Sequence, residues 1–91
     1  MTAKHPTRLD ARHLARHARR AIADRLGRYA PEALISVEHD ASAVLIRVNS
    51  GGNSLAVEHW LNARGYRAEY IASDPDVYGA VVRVTLREDR S

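Results

Sequence analysis

The chain has 91 residues, 14 Lys+Arg against 11 Asp+Glu, a formal net charge of +3 and no cysteine. This length suits one small α/β domain over residues 1–91, with flexible ends at 1–6 and 88–91. The missing cysteine excludes disulfides, thiolate catalysis and Cys-based metal centres. No apolar run approaches the roughly 20 residues that span a bilayer, and no secretory apolar region follows Met1, so a cytoplasmic setting is expected.

Thr7 begins a stretch rich in Ala, Leu and Arg, all good helix formers. Thr7 with Asp10 resembles a shortened capping box. Wound at about 100° per residue, Ala11, Leu14, Ala15, Ala18, Ala21, Ile22, Leu26 and Tyr29 share one apolar arc. Gly27 and Pro31 end the pattern, which predicts a helix over 8–27.

Residues 33–39 and 43–49 are β-branched runs joined by Asp40-Ala41-Ser42, the pattern of a β-hairpin. Ser50-Gly51-Gly52-Asn53-Ser54 reads as a flexible crossover loop, with Asn53 or Ser54 capping a second helix over 54–64. Val57, Trp60 and Leu61 form its apolar stripe, with Trp60 as the core anchor, and Arg64-Gly65 stops it. Strands are expected at 66–71 and 79–86, with Ser73-Asp74-Pro75-Asp76 as the turn between them. Trp60, Tyr66, Tyr70 and Tyr78 are expected to supply core volume, because Phe is absent.

The order α-β-β-α-β-β predicts an α+β two-layer sandwich. A four-stranded antiparallel sheet of spatial order 1-2-4-3 would carry both helices on one face, a circularly permuted ferredoxin-like arrangement. The other face would hold Ser36, Glu38, Arg47, Asn49, Arg67, Glu69, Arg83, Thr85 and Arg87. Its central strands carry no aromatics, so it does not read RNA in the manner of an RRM.

Thirteen of the fourteen basic residues are Arg and alanine occurs fifteen times, the bias of GC-rich codons. Placement is therefore more telling than residue type. Residues 1–30 hold eight basic residues and two acids, whereas residues 31–91 hold six and nine. Arg8, Arg12, Arg16 and Arg19, with Arg20 beside them, form a ridge along one flank of the first helix, next to its apolar stripe. Such a ridge suits the phosphates of DNA or RNA, contacted mainly electrostatically. The alternative is a protein–protein module, an inhibitor or adaptor of the size phages and plasmids encode, docking this helix on an acidic partner. A homodimer through the sheet is compatible with either. A membrane surface is not expected as the partner, since the apolar face of the helix is mostly Ala.

No enzyme is expected. His39-Asp40 sits at a hairpin turn, His59 lies on a helix surface, and no Ser/His/Asp set or paired carboxylates can be assembled. No cofactor fingerprint is present, and Ser50–Ser54 lacks the spacing and Lys of a P-loop. His13 and His17 share a helix face at i,i+4, but two ligands among arginines make no metal centre. Protonation of the pair would extend the basic face.

Overall fold

A computed structural model describes residues 6–74 and 79–87, giving only the backbone for residues 72–74. Of the expected flexible ends 1–6 and 88–91, residues 1–5 and 88–91 lie outside the described residues, as do Pro75, Asp76 and Tyr78.

Helix α1 spans Ala11–Leu26. It begins later than the periodicity suggests because Asp10, not Thr7, is the cap. The Asp10 carboxylate accepts from the Arg12 and His13 amides at 3.0 and 3.4 Å, satisfying donors that a helix start leaves open. These bonds, that to His13 foremost, hold the Asp10 carboxyl below the usual carboxylate range. Gly27 ends the helix at φ 74°, a left-handed conformation that costs glycine little.

A short 3-10 turn, Pro31–Ala33, leads into β1 (Leu34–Asp40), which turns through Ala41-Ser42 into β2 (Ala43–Val48). Helix α2 covers Gly51–Ala63, and the remaining strands are β3 (Tyr66–Asp74) and β4 (Gly79–Leu86). The expected loop at 51–54 is therefore the first turn of α2. Ser50 is its cap, accepting from the Asn53 amide at 3.1 Å. Two further bonds hold that glycine-containing turn helical. The Asn53 side chain accepts from Arg25 at 2.9 Å and donates to Asn49 at 2.7 Å.

All strand pairs are antiparallel, in the order β1-β2-β4-β3. The protein is thus an α+β sandwich of two layers, two helices on a four-stranded sheet. Bulges between Leu34 and Ser36 and between Tyr70 and Ala72 shift the pairing at both edge strands.

Alternation places Val44, Ile46 and Val48 of β2 and Ala80, Val82 and Val84 of β4 beneath the helices, all buried. Leu14, Ala18, Ala21 and Ile22 of α1 and Val57 and Leu61 of α2 close over them. Leu26, the last residue of α1, and Tyr29, beyond the left-handed turn at Gly27, both expected on the apolar arc, are exposed. Trp60 is only partly buried at the rim of this core. Tyr66 is buried, whereas Tyr70, on the same side of edge strand β3, is exposed.

The Asn62 side chain donates to the Ala68 carbonyl at 2.9 Å and accepts from the Ala68 amide at 3.0 Å. It thereby occupies backbone groups that the edge strand β3 would otherwise present to another chain. Arg87 lies just beyond β4 and folds back rather than joining the open sheet face. Its guanidinium donates to the Tyr66 and Asn62 carbonyls, at 3.1 Å each.

Candidate functional site between the helices

The backbone of α1 sets its arginines on the side away from the sheet. With Leu14, Ala18, Ala21 and Ile22 buried, residues 12, 16, 19 and 20 fall on the opposite face at about 100° per residue. All four are exposed. The ridge is therefore solvent-exposed, with Arg12 and Arg19 on the flank of the helix that borders β1. Arg8 precedes the helix, its guanidinium 3.9 Å from the Asp10 carboxylate, and does not continue the ridge. Among the described residues, Arg12, Arg16, Arg19 and Arg20 enter no salt bridge.

The two helices frame a groove of about 580 Å³. Helix α1 contributes His13, Arg16, His17, Arg19 and Arg20. Helix α2 contributes Trp60, its C-terminal cap residue Arg64 lies beside it, and Tyr29 closes the end beyond α1. No Asp or Glu lines it. Arg12 lies outside, beside β1, and shares a smaller hollow with Arg19 and Ile35.

The floor is a hydrogen-bonded chain. The Trp60 indole N–H donates to His17 Nδ1 at 3.1 Å. An indole can only donate, so Nδ1 carries no proton and neutral His17 holds its proton on Nε2. That nitrogen lies 3.1 Å from His13 Nε2, and the two rings meet edge to face at 4.5 Å. His17 then donates and His13 accepts. This tautomer leaves His17 Nε2 without the lone pair that a metal ion would need.

Burial, foremost, pushes the His17 pKa below its ordinary value, and His13, Arg64, Arg16 and Arg20 add to the effect. The Tyr66 ring stands 6.3 Å from the His17 ring. Burial and the nearby Asp10 charge raise the Tyr66 phenol pKa.

Arg64 caps the site. Its guanidinium carbon lies 3.8 Å from the centre of the Trp60 ring, and Nη1 donates to the Trp60 carbonyl at 3.1 Å. Sequence reasoning missed Trp60, Arg64 and Tyr29 as parts of a site. The i,i+4 spacing of Trp60 and Arg64 was a local signal. The contact between His17 and Trp60, 43 residues apart, was not one that spacing can reveal.

The other arginines of the N-terminal half are occupied. Arg25 is bound to Asn53, and Arg28 pairs with Glu32 at 3.8 Å. His39, Asp40 and His59 are exposed. Among the described residues, no group of three or more His, Cys, Asp or Glu is placed to hold a metal ion, and no helix is long and apolar enough to cross a membrane. No known family matches this chain, nor does any curated protein or solved structure.

Proposed function

We propose that this protein is a non-enzymatic, cytoplasmic nucleic-acid-binding module that contacts phosphates through the arginines of α1 and the groove beside them. The observation that carries the reading is four arginines from two helices around one concavity with no acid in its lining. Like charges held together on a rigid frame repel, and a polyanion relieves that repulsion. Guanidinium groups also present paired donors that match phosphate oxygens.

Recognition on this reading is weakly sequence-specific. Base edges are read chiefly by Asn, Gln and Arg side chains. Here Gln is absent, the side chains of Asn49, Asn53 and Asn62 are engaged within the fold, and this reading assigns the exposed arginines to phosphates.

Fluorescence anisotropy with labelled random-sequence oligonucleotides over a salt series tests the proposal. Binding should weaken with salt, log K falling by about 0.7 to 0.9 per phosphate contact for each unit of log salt concentration. The Arg16→Ala/Arg19→Ala/Arg20→Ala variant, altered only at exposed positions, should fold normally and bind far more weakly. Folded protein that binds no oligonucleotide at about 50 mM salt would overturn the reading. The same arginines would then direct the search for an acidic protein partner.

A further inference from the structure

Resting on that phosphate-binding reading, we infer that the ligand is a single strand whose unpaired bases stack in the groove, on Arg64 at one end and on Tyr29 at the other. A surface that only tracks phosphates needs charge, and the exposed face of α1 supplies it. The groove adds planar groups held in place. Trp60 is fixed by its bond to His17, and Arg64 is fixed on Trp60 by ring contact and by its bond to the Trp60 carbonyl. The guanidinium of this exposed residue thus rests on an aromatic base. At the other end Tyr29 is 67% exposed, the most exposed large apolar side chain among the described residues.

Unstacked bases pack on aromatic rings and on Arg guanidinium planes. Arginines around such platforms hold the connecting phosphates, the combination that single-strand binders use. A duplex keeps its bases stacked on one another and would leave both platforms bare. The charge of the lining selects a polyanion, and the platforms select one with free planar rings.

Three labelled DNA ligands decide the matter: a single strand of about 12 nucleotides, the same strand with abasic residues and an equal phosphate count, and its duplex, compared per phosphate. The base-bearing strand should bind about tenfold more tightly than the abasic one, the scale of one stacked base. Tyr29→Ala should erase much of that difference and Tyr29→Phe should restore it. Arg64→Lys keeps the charge without the plane, so it should reduce the base preference while leaving the salt dependence in place. Equal binding of base-bearing and abasic strands, or tighter binding of the duplex, would overturn this inference and leave phosphate recognition standing. No binding of any of the three would overturn both.

Discussion

Arg47 on the open sheet face and Arg16 on α1 are the same residue in different company. Arg47 donates to the Glu38 carboxylate at 3.3 Å across the β1–β2 pair, and Arg83 stands opposite Glu69 across β3–β4. Neighbouring strands there offer alternating charge, which neutralises the face locally. In the groove Arg16 lies among His13, His17, Arg19, Arg20 and Arg64 with no acid, and on its other side it borders a smaller hollow that it shares with Asp10. In a chain whose codons favour arginine everywhere, the residue type marks nothing. On the proposed reading, it is the acid-free lining of the groove that singles out this surface for an anion.

The largest expected effect separates these two faces directly. Removing Arg16, Arg19 and Arg20 together should weaken single-strand binding by roughly 100-fold at about 50 mM salt and reduce the salt slope by about 2. The double variant Arg47→Ala/Arg83→Ala removes charge from the sheet face, on the far side of the sandwich from the groove, and should change affinity by less than about threefold, since salt screens charges at that separation. Equal losses in the two variants would mean that net charge, not the groove, attracts the ligand.

Much of the fold was legible because its signals are local. Alternating β-branched residues in 43–48 gave β2, and the spacing of Leu14, Ala18 and Ile22 gave the buried face of α1. The errors came where two local signals compete. Thr7 and Asp10 are both good caps, and the carboxylate of Asp10 captures two amides, which leaves Arg8 outside the helix. Gly51-Gly52 reads as loop, since glycine is a poor helix former. Asn53 overrides that by binding Arg25 of the other helix, 28 residues away. The arginine ridge could be seen in the sequence, whereas the groove could not. Trp60 and Arg64 reach it only after α2 packs beside α1.

Arg25 sharpens the contrast within a single helix. It belongs to the same basic segment as Arg16, yet its guanidinium lies against Gly52, where an added Cβ would fall 2.3 Å from Nη2, and it bonds to Asn53. Its role is to tie the end of α1 to the start of α2. Arg25→Ala should therefore lower unfolding free energy by about 1–2 kcal/mol, the scale of a partly exposed charged hydrogen bond, as measured by urea titration. Oligonucleotide affinity should stay within about twofold, unlike the loss expected for the exposed arginines of the groove. A stability change near zero combined with a binding loss would move Arg25 into the ligand-contacting set.

The smallest expected effect is the pH response of the groove, and it runs in opposite directions for stability and binding. His17 is faced by His13, Arg16 and Arg20 from α1, by Trp60 and Arg64 from α2, and by Tyr66 from β3, with Asp10 near Tyr66. Its folded pKa is lowered, so on acidification the unfolded chain takes up the proton first. The stability linked to neutral His17 is thus full above about pH 6.5 and declines as pH falls from there through the folded value. A bound polyanion favours the protonated imidazole, so affinity should rise by several-fold over the same acid window. Protonation also ends the bond from Trp60, because Nδ1 can no longer accept, so the emission of this single tryptophan should change together with affinity. His17→Asn offers the indole an acceptor without the titration. In that variant both pH dependences should shrink, whereas His59→Asn, altered at an exposed position outside the groove, should leave them intact. An affinity that falls on acidification in the unaltered protein would mean that His17 serves the packing of Trp60 and takes no part in anion binding.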